Sequence, residues 1–435
     1  METTGVSAPP PRTPPFSLYG RIAVSALWLG WYTQWISIPS VVLPDQVKGL
    51  LGAGDKRLEI VTGAIVAAGS VVALLVTPLA GARSDSARSR FGRRRPFLAL
   101  GVVLSCFALA GLFLAAHNGG LALYVLAYVN LQLWWNWAAG PGAGFIPDVV
   151  PPAQQASASG WTNALGIIGV VIGNVLVGWL YASGQTVALV VALAAINLVC
   201  LALALSVREP PATAATVRQS LGPFLRSFFL SPKTHPNFYL VLGTRFLSNM
   251  GIWSVQTFLL LYLESVLGLG AAPATSLWST LLAVGALLAI PASFAGAWLV
   301  GRTGLVAAVQ IASWAMAAAT AAYVLIAAHP SVALIVPAVV VFGIGNGAYG
   351  TVDWLLALRV LPRGQDAGKD FGVWHVCMVA PQMIAPPVTG LLISWILGFG
   401  SAKLAYEVAF AIGALWFVLA AALVARVKVP ETATA

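Results

Sequence analysis

Between Gly81 and Pro96 the chain reads GARSDSARSRFGRRRP, one acid and six arginines set between two long apolar runs. A segment this polar between two spans lies in water at a membrane face, and its excess of arginine assigns that face to the cytoplasm. The apolar runs on either side must then cross the bilayer as helices, because hydrocarbon offers no partner for an open backbone N–H or C=O.

Composition points the same way. Hydrophobic residues make up 59% of the 435, charged residues 8%, and the mean hydropathy is +0.88, which excludes an ordinary soluble domain. The formal charge of +10 does not indicate a nucleic-acid partner, because the basic residues lie in short loops between apolar spans rather than in one patch or arm. Cys106, Cys200 and Cys377 are scattered inside apolar runs and read as packing residues. His117, His235, His329 and His375 are far apart, and no HExxH, GxSxG or phosphate-cradling glycine loop is present, so neither an enzyme nor a metal site is expected.

Windows of about 20 residues, the length that crosses about 30 Å of hydrocarbon, give twelve spans. They begin near Tyr19, Leu58, Phe97, Leu121, Ala158, Val187, Phe238, Ala274, Leu305, Ser331, Lys369 and Lys403. The expected organisation is a disordered Pro-rich tail (1–17) ahead of an uncleaved first span, a six-span half (18–207), a linker (208–236), a second six-span half (237–428) and a short tail (429–435). With both termini in the cytoplasm, nineteen of the 23 Lys and Arg face inward, leaving Lys48, Lys56, Arg57 and Lys403 outside.

The halves repeat each other. VPPAQQASASGW (150–161) recurs as LPRGQDAGKDFGVW (361–374), pairing Pro151, Gln154, Ala156, Gly160 and Trp161 with Pro362, Gln365, Ala367, Gly372 and Trp374. Gly81 is echoed more faintly by Gly296 in GAWLVGRTG. Two parallel six-span repeats around a midplane site is the construction of many secondary transporters. The fold class is therefore an all-α integral membrane protein of twelve transmembrane helices in two six-helix repeats.

TPLAGARSDSARSRFGRRRPFLALG resembles the second-to-third loop signature of the major facilitator superfamily, in the form carried by its glycoside-pentoside-hexuronide branch and by sucrose/proton symporters. NWAAGPGAGFIPD (136–148) is similar to the fourth span of those symporters, and GNGAYGTVDWLLALRVLPRGQDAGKDFGVWHV (345–376) resembles bacterial transporters of the branch. The resemblance implies a monomeric plasma-membrane transporter that takes a small solute of the sugar class and uses a proton gradient in place of a cofactor. It also implies that Arg93 or Arg94 pairs with Asp148 at the inner end of the fourth span. Asp85, set against the N-terminal dipole of the eleventh helix, would latch the halves together. Val300 and Arg359 stand where the second half would repeat Asp85 and Asp148, so the cytoplasmic gate of Asp85, Arg93, Arg94 and Asp148 is expected to be asymmetric.

Departures from the family limit what carries over. Gln132 occupies the position where the plant symporters place a carboxylate implicated in coupling, and Ala143 replaces their arginine. The second span from Ile60 to Ala80 lacks the acids that sodium-linked melibiose permeases use, and Glu59 lies at its outer edge.

Ionisable groups within spans are costly and are functional candidates by default. Arg245 in the seventh span and Asp353 in the tenth lie about 8–12 Å deep at 1.5 Å per residue. They are expected to pair in one state and to separate or protonate in another, the alternative being a static staple between helices. His375 is a weaker relay candidate. The substrate cavity is assigned to Trp31, Gln34 and Trp35 of the first span, Gln132 and Asn136 of the fourth, Asn249, Trp253 and Gln256 of the seventh, and Asn346 and Tyr349 of the tenth. Amides and indoles suit a polyhydroxylated neutral solute. An aromatic cavity also accepts apolar cations, so proton-coupled export of drugs or amphiphiles is the alternative.

Overall fold

The computed structural model describes residues 17–52, 54–151, 154–209, 236–360 and 367–428, with the side chains of 367–375 outside the description. The described residues form helices and no strand. Helix α1 (Leu18–Trp35) continues through a wide turn at Ile38–Val42 into an extension, Leu43–Leu51. The first half is completed by α2 (Leu58–Asp85), α3 (Arg95–Asn118), α4 (Leu121–Val149), α5 (Gln155–Leu176, extended by Val177–Tyr181) and α6 (Thr186–Ser206). The second half holds α7 (Pro236–Gln256, followed by Leu259–Ser265), α8 (Ala271–Thr303), α9 (Leu305–Ala328), α10 (Val332–Val360), α11 (Ala367–Leu397) and α12 (Ala402–Val424). Each of the twelve starts expected from the sequence falls within three residues of a helix start. The expected tails and most of the linker lie outside the described residues.

Ten of these helices are long and apolar enough to cross a membrane. The remaining two, α1 and α4, are diluted by polar and aromatic side chains: Trp28, Trp31, Gln34 and Trp35 on one, Asn130, Gln132, Trp134, Trp135 and Asn136 on the other.

Helix neighbours follow a simple rule. In the first half α1 packs on α5 and α6, α4 on α2 and α3, and α3 on α6; adding six to each number gives the packing of the second half. The halves meet where α2 packs on α11 and α5 on α8, two contacts exchanged by the same shift. Parallel repeats about an axis along the membrane normal produce this pattern.

Lipid supplies little hydrophobic drive between helices, so close backbone approach at small residues carries the packing. A Cβ on Gly169 would strike the Leu29 carbonyl, and one on Gly173 the Thr33 carbonyl, so α5 lies backbone to backbone on α1. Across the halves, Gly63 of α2 faces the Pro386–Pro387 backbone and Gly390 of α11 faces the backbone of Glu59.

The halves close at the face opposite the arginine loop. There one buried apolar cluster runs through both, including Ile38 and Val41 of the first and Tyr262, Tyr406 and Phe410 of the second. Toward the arginine loop the core divides into a cluster around Leu98, Phe145 and Leu201 and another around Phe238, Val309 and Val424. Polar contacts across the closed end are Lys48 Nζ to Glu264 Oε2 at 2.5 Å, Trp278 Nε1 to the Ser40 carbonyl at 3.2 Å, Ile60 N–H to Ser394 Oγ at 3.3 Å and Tyr406 Oη to Glu59 Oε1 at 3.0 Å.

Candidate functional site

Helix α7 carries Arg245 and Asn249 one turn apart, and α10 carries Tyr349 and Asp353 at the same spacing, so each presents its pair on one face. The faces meet. Arg245 Nη1 forms an ion pair with Asp353 Oδ2, and Tyr349 Oη donates to Asp353 Oδ1 at 3.2 Å. Asp353 has 0% exposure, whereas the Arg245 side chain keeps 16%. Arg245 also points Nη2 at Met378 Sδ of α11, 3.7 Å away, and its backbone carbonyl accepts from Asn249 Nδ2 at 2.9 Å. The pair expected from the sequence is thus formed, within the second half. Ser248, on the same turn of α7, is buried as well. The side chain of His375 lies outside the described residues.

In the first half the indoles gather. Trp31 stacks on Trp35 with centroids 5.4 Å apart and meets Trp135 of α4 edge-on at 5.9 Å. Trp28 and Tyr32 complete the group, each edge-on to Trp31 at 5.2 Å. Behind it a pocket is lined by Trp28, Trp31, Ser105, Trp135, Gly142 and Asn197 among others. The indole N–H groups of Trp31 and Trp135 and Gln34 Oε1 are buried without a partner, although buried polar atoms are nearly always bonded. Trp135 was missed in the sequence because α4 brings its tryptophan to α1 only in the fold; Trp28 and Tyr32 lie on α1 beside Trp31 and were passed over.

The α4 amides bond to one another and to neighbouring side chains. Asn136 Nδ2 donates to Gln132 Oε1 at 3.1 Å, Gln132 Nε2 donates to Tyr128 Oη at 3.0 Å, and Thr77 Oγ1 of α2 donates to Asn136 Oδ1 at 3.2 Å. This ladder ties α2 to α4. Trp253 is 6% exposed in a cluster with Met250 and Ala385, with Ile384 and Trp416 against it, and so packs α7 against α11 and α12. Gln256 and Asn346 are half-buried.

At the arginine loop Asp148 receives both candidate arginines. Arg93 reaches it through Nη2 at 2.5 Å and Nε at 3.0 Å, and Arg94 through Nε at 2.5 Å. Arg94, 6% exposed, also binds Asp85 at 2.6 Å and Ser84 Oγ at 3.1 Å. Asp85 therefore has a partner in its own half, and the side chains at the start of α11 lie outside the described residues. Glu209, following α6, accepts from the backbone N–H groups of Arg93, Arg94 and Arg95 at 3.0–3.2 Å and so caps the start of α3. The signal for it was an acid beside a basic loop, too common to single out in sequence.

The model of the Major Facilitator Superfamily matches residues 22–367. The chain belongs to that superfamily. Among individual major facilitators, the rice (Oryza sativa subsp. indica) sucrose transport protein SUT4 is 30% identical over 127 residues, covering 25% of this chain and 21% of that protein. The general alpha-glucoside permease of Schizosaccharomyces pombe is 30% identical over 176 residues, covering 37% and 30% respectively. The chain thus matches less than a third of the length of either relative. As a major facilitator fold it superposes on a nucleoside transporter with a TM-score of 0.70 at 14% identity, covering 95% of this chain and 100% of that one. It superposes on a D-xylose-proton symporter with a TM-score of 0.67 at 15% identity, covering 92% and 97%. Solutes as unlike as these leave the substrate to be argued from the site.

Proposed function

We propose that this major facilitator is a proton-coupled symporter of a sugar or glycoside of the disaccharide class, working by alternating access in a cell membrane with both termini cytoplasmic. The observation that carries the reading is the ion pair of Arg245 and Asp353 with Tyr349 on the second carboxylate oxygen. A buried carboxylate is stable only while its cation is in place. A proton on Asp353 frees the guanidinium of Arg245, so proton binding and the arrangement of α7 against α10 become one event. Neutral solute uptake can draw on that event without any cofactor.

The sugar reading rests on chemistry and on relatives. The indole cluster of Trp28, Trp31, Trp35 and Trp135 offers ring faces, and the Trp31 and Trp135 N–H groups and Gln34 Oε1 are polar atoms without a protein partner. A pyranose has apolar faces and a rim of hydroxyls, which matches both. Two of the relatives named above are a sucrose transporter and an alpha-glucoside permease.

Uptake of radiolabelled sucrose, maltose and a glucuronide into proteoliposomes, with and without an imposed inward proton gradient, tests the reading. Gradient-stimulated uptake that falls at least tenfold in Asp353→Asn is expected. Dye extrusion with no sugar movement would move the protein to the exporter class.

A further inference from the structure

Glu59 begins α2 at the closed end of the molecule, where the sequence alone placed it at a water-facing edge. In the fold it is 4% exposed. The backbone of Gly390 in α11 lies directly on its own backbone, and the next residue, Ile60, donates to Ser394 Oγ. Its Oε1 accepts from Tyr406 of α12 at 3.0 Å, and its Oε2 is buried with no partner. The residue belongs to one half and is contacted by α11 and α12 of the other.

Of the charges around it, Lys56 is exposed in the turn before α2, and the others pair elsewhere. Asp55, in the turn before α2, pairs with Arg57 at 2.8 Å, and hydrogen bonds from Arg57 hold its carboxyl at about 2. In the extension of α1, Lys48 pairs with Glu264 of the α7 extension, and Asp45 accepts from Tyr181 Oη at 2.7 Å. On α12, Lys403 and Glu407 face each other at 3.9 Å. From Val376 to Leu397, α11 has no acidic or basic residue. Among the described residues no cation reaches Glu59. A carboxylate stripped of water without a counter-charge takes up a proton instead of remaining ionised.

We propose that Glu59 is a proton-operated latch of the gate opposite the arginine loop: α2 closes on α11 and α12 with the Glu59 carboxyl neutral, and the gate parts when it ionises. Parting the halves lifts Tyr406 and Gly390 away and returns the carboxyl to water, where a glutamate ionises near about 4.3. The closed state thus holds one more proton than the open one. By linkage the ratio of closed to open molecules rises about tenfold for each unit of falling pH, levels off below about 4.3, and is lost as pH rises. This latch is separate from Asp353, lies in the other half, and holds whatever solute is carried.

Distance measurement between nitroxides tests it without any substrate, so its outcome is independent of the sugar reading. Labels at Ser183→Cys and Phe399→Cys, on the exposed turns after α5 and α11, report the closed end once Cys106, Cys200 and Cys377 are replaced by alanine. In nanodiscs between pH 5 and 8 the short-distance population should grow on acidification. Glu59→Gln, which is neutral at every pH, should stay closed at pH 8 and lose the titration. Glu59→Asp should titrate with a displaced midpoint, which separates ionisation from folding. Asp353→Asn should titrate like the parent. A parent distance that ignores pH, or a Glu59→Gln protein that titrates like the parent, overturns the proposal.

Discussion

Asp353 of α10 is fully buried against Arg245 of α7, and the two form an ion pair that joins the first and fourth helices of the second half. Removing one partner of such a pair leaves an uncompensated charge, at a cost of about 3–5 kcal/mol. Asp353→Asn and Arg245→Gln should each lower the thermal midpoint in detergent, and the double variant should recover much of the loss. Additive losses in the three variants would show that the two side chains are not energetically coupled.

The arginine loop makes a graded prediction. The Arg94 side chain is 8% exposed and holds Asp85, Asp148 and Ser84, whereas the Arg93 side chain is 25% exposed and holds Asp148. Arg94→Gln should therefore cost about 1–3 kcal/mol, and Arg93→Gln about 1 kcal/mol or less. Chemical unfolding of the two variants side by side checks the order.

Helix α5 supplies a steric test. A methyl group on Gly173 would collide with the Thr33 carbonyl of α1, while one on Gly160 meets nothing within 4 Å. Gly173→Ala should cost about 1–3 kcal/mol or block folding altogether. Gly160→Ala, on the same helix, should be neutral or stabilising by up to about 1 kcal/mol. Yield of monodisperse protein in size-exclusion chromatography separates the two.

Two tryptophans singled out together in the sequence should behave differently. Trp253 is sealed among Met250, Ala385 and Trp416, so Trp253→Ala should cost about 3–5 kcal/mol in stability. Trp31, partly buried and with an N–H that has no partner, should lose solute affinity in Trp31→Phe while the thermal midpoint holds. Parallel binding isotherms and melts decide between the roles.

The twelve helices, their near-exact starts and the twofold repetition were legible because a bilayer imposes length and hydropathy on each span separately, and each span states its own case in sequence. Arg245 and Asp353 were legible for a related reason: a charge within hydrocarbon is expensive enough to stand out, whereas Asp148 was legible through the resemblance of its loop and span to a known family. Contacts between spans are set by packing among helices that look alike in composition, and sequence spacing along one helix says nothing about the next. The meeting of Trp135 with Trp31, the capping of α3 by Glu209 and the inward role of Trp253 belong to that class. Glu59 shows the difference most sharply, since by position it sits at the water's edge, and only the closing of α11 and α12 over it removes the water.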